Sequence, residues 1–334
     1  LVTRLNALDQ KAPNPPTVES MAAFNAERAK ILEDVVARAA AKESWVKMLI
    51  DAHQAAAEGG KPGNPHLVRI QQWRDAASRP ESSNPAIAAY AAYRLLVAEN
   101  SVAMANTRTN DEFAAVQEKW RTGLEAYMKA FGQSADAPEA ALRLAMAYEL
   151  SGGKDMTEVK ANEAKAKQWY DHLAKNFGGH AHAAKAAGAL KRLDSEGKPL
   201  ELTGPQLANG QPFSAAQKDK VVIVYYWASW SQSLADDAKK LDALLKAYGP
   251  KGLTVVTVGL DHDPKLASEA AARVGLPGTH LYEKGGLDGS PLAAAYGIMA
   301  PPHVLLADKD GKITNRNGHV ATLEEEVKKL VGEK

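Results

Sequence analysis

Apolar residues recur along this chain with two different periods, and the period changes near Lys198. From about Thr17 to Asp194 they return every three or four positions, in a background of Ala, Lys, Glu and Leu. This spacing places the apolar side chains on one face of a helix. The stretches GGKPGNP and SRPESSNP interrupt the spacing with residue types that commonly end helices. The pattern therefore predicts an α-helical domain over residues 1–197.

The helical pattern divides into separate segments. Helices are predicted over TVESMAAFNAERAKILEDVVARAAA, ESWVKMLIDAHQAAAE, PHLVRIQQWRDAAS, NPAIAAYAAYRLLVAENSVAMA and NDEFAAVQEKWRTGLEAYMKAF. The segments PEAALRLAMAYELSGG, KANEAKAKQWYDHLAKNFGG and AHAAKAAGALKRLD follow. Over about residues 136–195 these three resemble one tetratricopeptide-type helix pair with a capping helix. A general helical bundle, whose aromatic residues are simply core, is the alternative.

Beyond Lys198 short apolar segments alternate with helical ones. The continuous apolar runs Val221 to Tyr226 and Leu253 to Leu260 predict central parallel strands, covered by helices on both faces. Further strands are predicted at Leu200–Leu202, Gln206–Ala208 and Gln211–Phe213 around a turn at Asn209-Gly210, at THLYE, and in the hairpin HVLLADKDGKITNR. Helices are predicted in SLADDAKKLDALLKAYG, DPKLASEAAARVG, SPLAAAYGI and TLEEEVKKLVGE. The predicted fold class is thus α + α/β, with the α/β domain over residues 198–334.

Length and charge limit the possible partners. A chain of 334 residues suits two domains, and 45% hydrophobic with 24% charged residues is the balance of a globular protein. Lys and Arg (41) nearly cancel Asp and Glu (40), so the net charge of +1 argues against nucleic acid as a partner. No apolar run approaches the roughly 20 residues that a transmembrane helix needs. Because the chain starts at Leu1 without Met, we expect a processed or trimmed product.

The chain contains no cysteine. It therefore forms no disulfide, and its sequence carries no mark of an oxidising or reducing compartment. It also offers no thiol nucleophile and no thiolate ligand for a metal ion.

Four pieces of the last 135 or so residues, in order, are similar to the thioredoxin fold in its TlpA/ResA-like redoxin branch. They are the opening hairpin LANGQPFSAA, the strand and loop KVVIVYYWASW, the segment AAAYGIMAPPHVLLADKDGKI and the final amphipathic helix. The resemblance implies a thiol–disulfide oxidoreductase that works through Trp-Cys-x-x-Cys at the start of a helix. A helix N-terminus stabilises the thiolate of the first cysteine through its free amide hydrogens and partial positive charge.

When the family motif is aligned with this chain position by position, the residues that carry thiol–disulfide exchange are replaced by other types. The first cysteine falls on Ser231 and the second on Leu234, with Gln232 and Ser233 between them. The buried acid that many relatives have in the preceding strand falls on Tyr225. Because the attacking thiol, the resolving thiol and the proton acceptor are all absent, the domain is predicted to be redox-inactive.

One companion feature of the family is retained. Pro302 lies where the family has its cis-proline, and its neighbour there presents backbone groups to an extended peptide. The resemblance thus predicts a binding surface with the members Trp230, Gln232, Ser233, Pro301, Pro302 and His303. The alternative is that Pro302 serves the fold alone, because a fold does not imply a function.

Two other kinds of chemistry are weaker hypotheses. A serine hydroxyl can be activated by a base, and His303 would be the base for Ser231, but no G-x-S-x-G context surrounds this serine. Asp261, His262 and Asp263, with His280 or His303, contain metal-ligating residue types without a recognised spacing. Neither a metal ion nor a cofactor is predicted.

The sequence therefore favours a non-catalytic module that binds a protein or peptide partner, or a second copy of the chain, and that has a scaffolding or assembly role. One alternative is a thiol–disulfide oxidoreductase family member, which would need cysteines at positions 231 and 234. Another is a protein that binds a small ligand or a metal ion. The family resemblance implies a periplasmic or cell-surface location, of which the composition carries no sign.

Overall fold

The computed structural model describes residues 1–38 and 42–332. Residues 39–41, at the end of one predicted helix, and Glu333, at the end of the last predicted helix, lie outside the described residues together with Lys334. The chain forms two compact units, Leu1–Trp169 and Tyr170–Lys334. The division between them falls inside a helix, whereas the boundary at 197/198 stays a prediction.

Helices make up the first unit as the described residues show it. Their bounds are α1 Val2–Asp9, α2 Val18–Arg38, α3 Glu43–Ala57, α4 Pro65–Ala77, α5 Pro85–Asn106, α6 Asn110–Phe131, α7 Ala137–Glu149 and α8 Met156–Asn176, the last of which continues into the second unit. Helix α1 was not among the predicted segments. Its sequence, VTRLNALD, contributes a single buried residue, Leu5. A helix this short has too few apolar residues to show the three-to-four-residue spacing that predicts a helix.

Side chains with strong capping propensity begin three of these helices. Asn64 and Asn84 accept hydrogen bonds from the first-turn amides of α4 and α5, and a proline follows each of them at the first helical position. Thr109 and Glu112 form a reciprocal capping box at the start of α6. Such caps satisfy amide groups that the helix itself leaves unpaired, which is why the breaks between helices are sharp.

The predicted tetratricopeptide-like element covers the end of this helical series. Helix α8 begins at Met156, four residues before the predicted segment KANEAK, so the connection from α7 is shorter than the sequence indicated. Asp155 accepts from the amides of Thr157 and Glu158 and so begins the helix early. The tetratricopeptide identity itself stays a prediction.

The second unit is an α/β structure that starts with helix. After the end of α8 come α9 Ala181–Leu193, β1 Thr203–Pro205, β2 Pro212–Ser214, β3 Val221–Trp227, α10 Leu234–Tyr248, β4 Leu253–Gly259, α11 Pro264–Val274, β5 Thr279–Tyr282, α12 Gly286–Gly289, α13 Pro291–Ala294, β6 His303–Ala307, β7 Ile313–Gly318 and α14 Glu324–Val331.

The five-stranded sheet has the strand order β5-β4-β3-β6-β7. Strands β3, β4 and β5 run parallel, and β6 and β7 are antiparallel to their neighbours. The two predicted central strands are therefore adjacent and parallel, in a register that places Trp227 opposite Gly259. This topology is that of a thioredoxin-like α/β domain, and the predicted fold class is confirmed.

The opening hairpin forms around the predicted turn, with shifted strands. Strands β1 and β2 pair over Thr203–Pro205 and Pro212–Ser214, so the predicted strand at Gln211–Phe213 is shifted by one residue, and those at Leu200–Leu202 and Gln206–Ala208 are wrong in their positions. Leu200 and Leu202 are buried in the core, and their backbone hydrogen bonds, to Gly311 and Ala215, lie outside the named strands. The predicted turn contains Gly210, whose φ of 71° suits glycine.

Alternate residues of β3 enter two different cores. Tyr225 and Trp227 pack on the face that carries α10, α11 and α14, whereas Tyr226 packs on the opposite face with α13. Helix α9 covers part of this opposite side. A Cβ built on Gly188 would lie 1.8 Å from the carbonyl oxygen of Ala294, so α9 and α13 pack in direct backbone contact.

Candidate functional site

The segment Ala228–Ser233, here called the β3–α10 loop, stands where the family has its redox motif. Ser231 is only 9% exposed and lies three residues before the first residue of α10. Its Oγ accepts a hydrogen bond from the amide of Ala228 at 3.3 Å, and its own amide donates to the Ala228 carbonyl at 3.0 Å. The hydroxyl at the position of the first cysteine therefore closes a turn of the loop itself.

The position of the second cysteine belongs to the hydrophobic core. Leu234 is 3% exposed and lies in the same apolar cluster as Trp227, Ala238 and Leu241. An aliphatic side chain in this place adds packing and has no chemical group to present.

Tyr225, at the position of the family's buried acid, contacts a carboxylate that comes from another element. Its hydroxyl donates to Oδ2 of Asp237 at 3.0 Å, and Ser233 Oγ donates to the same oxygen at 2.7 Å. Burial, and next the charge of Asp237, raise the pKa of Tyr225 well above its usual value. A buried carboxylate is thus present beneath the loop, but on the helix instead of the strand.

The role of Asp237 was not predicted from the sequence. The one available signal was the spacing of four residues between Ser233 and Asp237 at the start of a predicted helix.

Asp261 ties the loop to the neighbouring strand. It follows β4, is 3% exposed, and accepts from the amide of Ser229 at 2.9 Å and from Ser229 Oγ at 2.6 Å. The parallel pairing of β3 with β4 brings the two residues together, because both stand just beyond the carboxyl ends of their strands. Asp261 was considered as a metal ligand, and in the structure its carboxylate holds the loop backbone.

Two of the other residues in this metal-site hypothesis are also engaged, whereas the side chain of His262 is exposed. Asp263 caps α11 by accepting from the amide of Lys265, and His280 Nδ1 lies 2.8 Å from Thr257 Oγ1. Within residues 1–38 and 42–332, no group of three or more histidine, aspartate or glutamate side chains is arranged to hold a metal ion.

The segment before β6 lies at the same edge of the sheet as the β3–α10 loop. The peptide bond between Pro301 and Pro302 is cis, and His303 begins β6 in register with Tyr226 near the end of β3. Because β6 is antiparallel to β3, residues that precede His303 and residues that follow Trp227 meet at one edge. The structure therefore brings both parts of the predicted binding surface to one edge of the domain.

His303 itself is directed to the protein interior. Its Nε2 lies 3.0 Å from the Arg316 carbonyl oxygen, to which it donates, and its ring packs against Tyr226 with centroids 6.4 Å apart. Burial, followed by the positive charge of Arg192, lowers the pKa of His303 to about 3, so the imidazole is neutral at pH 7. Ser231 and His303 are thus bonded to separate backbone partners, which argues against a nucleophile and base pair.

Exposure singles out Trp230 among the predicted surface residues. Its side chain is 60% exposed, the largest aromatic exposure among the described residues. Gln232 and Pro302 are also exposed, whereas Ser233 and Pro301 are partly covered.

Comparisons with known proteins concern the second unit. The Redoxin family model matches residues 196–331. The thiol-disulfide oxidoreductase ResA of Bacillus thuringiensis subsp. konkukian is 26% identical over 140 residues, which are 41% of this chain and 72% of that protein. The helical residues before 196 lie outside the family match.

Two solved structures are also similar to part of this chain. The thioredoxin domain of a thiol-disulfide oxidoreductase from Bacteroides vulgatus is 24% identical, with a TM-score of 0.37, and covers 41% of this chain and 98% of that chain. A secreted disulfide oxidoreductase of Mycobacterium tuberculosis is 21% identical, with a TM-score of 0.33, and covers 39% of this chain and 96% of that chain. Because both scores are below 0.5, we base the fold on the sheet topology.

Strand order, the cis-proline before β6 and the family match all concern the same stretch of chain. Thiol–disulfide exchange needs a thiolate that attacks sulfur, and this chain has no cysteine to supply one. Residues 196–331 are therefore a redoxin-like thioredoxin domain in a chain that contains no cysteine.

Proposed function

We propose that the chain is a redox-inactive binding module that holds a protein or peptide segment at the edge of the sheet where the redox motif of its relatives stands. The observation that carries this proposal is the 60% exposure of Trp230 on a loop that is otherwise fixed. Large aromatic side chains contribute disproportionately to protein interfaces.

The residues on both sides of Trp230 are restrained. Ser229 is bonded to Asp261 through its amide and its hydroxyl, and Ser231 is bonded to Ala228 in both directions. An exposed side chain on a restrained backbone loses little conformational freedom when a partner binds, which favours affinity.

Free backbone groups support an extended peptide as the ligand. Among the described residues, no backbone hydrogen bond engages Met299 or Ala300, which come just before the cis-proline. An extended segment that lies between Trp230 and this stretch could pair with these groups, as peptides do when they add to exposed backbone.

The test is site-specific photo-crosslinking in the organism that makes the protein. A photoreactive phenylalanine analogue replaces Trp230, and the same analogue replaces Phe113, an aromatic residue of the helical unit that is 46% exposed. We expect an adduct from position 230 that is absent from position 113. In a second measurement with the purified partner, Trp230→Ala should weaken binding at least tenfold, about 1.4 kcal/mol.

Two results would contradict the proposal. One is the same adducts from both positions, or none from position 230. The other is an unchanged dissociation constant for Trp230→Ala with a partner that had been captured at that position.

Two finer features belong to the same proposal. The helical unit, at its tetratricopeptide-like element and away from Phe113, supplies a second contact surface or mediates self-association. The location is periplasmic or at the cell surface, as the TlpA/ResA resemblance implies. No helix within the described residues has both the length and the apolar character to cross a bilayer.

A further inference from the structure

Two imidazole rings face each other inside the helical unit. His53 lies on α3 and is 3% exposed, and His66 lies in the first turn of α4. Their Nδ1 atoms are 2.9 Å apart, and the ring planes are tilted by 43° with centroids 5.2 Å apart. The separation is that of a good hydrogen bond, so one Nδ1 donates and the other accepts.

The neighbour of His53 on its other side decides which nitrogen carries the proton. Nε2 of His53 forms no hydrogen bond among the described residues, but it lies 3.4 Å from the negatively charged Oε1 of Glu33. The charge of this carboxylate favours the tautomer of His53 that has its proton at Nε2 and a lone pair at Nδ1. His66 must carry its proton at Nδ1, where it donates to His53.

The charged groups around the pair come from two helices. Glu33 of α2 lies beside His53, and the positive charge of Lys30, also on α2, lowers the pKa of His66. Arg69 of α4 forms an ion pair with Glu33 at 2.9 Å. Burial is the largest effect on both rings and lowers the pKa of His66 and, to about 4, that of His53. Glu33 raises both pKa values, but it is shared with Arg69.

The pair can accept one proton without breaking. A proton that binds at Nε2 of His66 leaves the Nδ1–H of His66 donating to His53. A second proton can only go to Nδ1 of His53, and two N–H groups then point at each other with like charge. The doubly protonated state is therefore incompatible with the 2.9 Å contact.

The connection between the two helices is a short segment with three glycines. Gly59 and Gly63 have φ of 70° and 76° there, a conformation that glycine adopts without steric cost. From α5, the uncharged amide of Asn106 donates to the Gly60 carbonyl at 2.9 Å. A positive charge on His66 also stands unfavourably at the N-terminus of α4.

We propose that His53 and His66 form a proton-operated latch, which holds the N-terminal turn of α4 against α3 when the pair shares one proton between its Nδ1 atoms and releases it when both rings are charged. Release uncovers apolar side chains that are now buried, including Ala57, Leu67 and Ile70. The helical unit would then offer a new apolar surface under acidic conditions. This device does not depend on the binding surface around Trp230.

The test is hydrogen exchange of the full chain at pH 7.0, 5.5 and 4.5, with rates corrected for the intrinsic effect of pH. In the wild type, peptides that span residues 53–70 should lose about tenfold in protection at pH 4.5, while those of α5 and α6 keep theirs. In His66→Gln, a neutral amide can still donate to His53, so the acid-dependent loss should disappear. A matched control, His319→Gln, removes an exposed histidine of the other unit and should behave like the wild type.

Imidazole nitrogen NMR gives a second readout at pH 7.0. We expect His53 as the Nε2–H tautomer and His66 with its proton at Nδ1. Three results would overturn the latch: the same acid-dependent loss in His66→Gln as in the wild type, no local loss in the wild type at pH 4.5, or simultaneous loss in α5 and α6. The reverse tautomer of His53 would overturn it as well.

Discussion

At the scale of single residues, two buried carboxylates hold the β3–α10 loop in place. Asp261 and Asp237 accept hydrogen bonds from both ends of the β3–α10 loop, through Ser229 and Ser233. A buried charge that accepts several hydrogen bonds stabilises the conformation that brings those donors together. The loop is thereby fixed without any cross-link.

Replacement of Asp261 tests this restraint. Asp261→Ala leaves the amide and hydroxyl of Ser229 without their acceptor, so we expect a loss of about 1–3 kcal/mol in the free energy of unfolding by urea. Asp242→Ala, which removes a carboxylate whose partner is the exposed Lys246, should change stability by less than about 0.5 kcal/mol. Equal losses in the two variants would mean that Asp261 does not hold the loop.

His303 predicts how the stability of the domain depends on pH. Its pKa in the folded state, about 3, lies below the ordinary 6.5, so the folded protein binds fewer protons between these values than the unfolded chain does. Stability is therefore complete above about pH 6.5 and falls as the pH decreases towards 3.

The measurement compares His303→Gln with the wild type. If the chain takes up one proton when it unfolds, its free energy of unfolding changes by about 1.4 kcal/mol per pH unit. Urea unfolding at pH 6.0 and 4.5 should show a shallower loss for His303→Gln than for the wild type, with the exposed control His262→Gln equal to the wild type. The same dependence of the free energy of unfolding on pH in all three proteins would mean that protonation of His303 does not destabilise the folded domain.

At the scale of elements, helix α9, which the sequence pattern assigns to the helical domain, packs on the α/β domain at α13. Its Gly188 lies against α13, and its Arg192 donates from Nε to the carbonyl of Tyr296 at 3.0 Å. Glycine is needed at position 188 because any side chain would overlap with backbone atoms that cannot move independently.

A small substitution tests this contact between helices. Gly188→Ala should lower the melting temperature of the second unit, with a loss of about 1–3 kcal/mol, although alanine favours helices. Gly179→Ala, just before α9, places its Cβ in open space and should leave the melting temperature within about 1 °C. An unchanged melting temperature for Gly188→Ala would mean that α9 can move away from α13 without a loss of stability.

At the scale of the whole molecule, the position of α9 bears on where the domains divide. A fragment of residues 170–334 retains the helix, whereas a fragment of residues 198–334 lacks it and exposes the surface of α13 that it covers. We expect the longer fragment to be more stable by about 3 kcal/mol in urea unfolding, from buried apolar area and the Arg192 hydrogen bond. Equal stabilities would favour the boundary at 197/198.

Periodicity predicted most of the fold because long helices and continuous apolar strands leave strong local patterns. The breaks before α4 and α5 were predicted from the clusters GGKPGNP and SRPESSNP, whose glycine and proline residues end helices locally. The opening hairpin was misplaced because Leu200 and Leu202 are apolar for packing, which a short alternating pattern does not distinguish from a strand.

The candidate site was predictable only where it followed the family motif. The positions Ser231, Leu234 and Pro302 could be assigned from sequence order alone. The role of Asp261 depends on which strands are neighbours, and that of Asp237 on the direction in which α10 leaves the loop, so neither could be predicted from the sequence. The facing rings of His53 and His66 likewise arise from the packing of two helices.

The burial of Leu234 limits what could be engineered at this loop. Leu234→Cys would remove aliphatic volume from a close-packed interior and cost about 2 kcal/mol or more. A dithiol built into positions 231 and 234 would therefore start from a less stable domain.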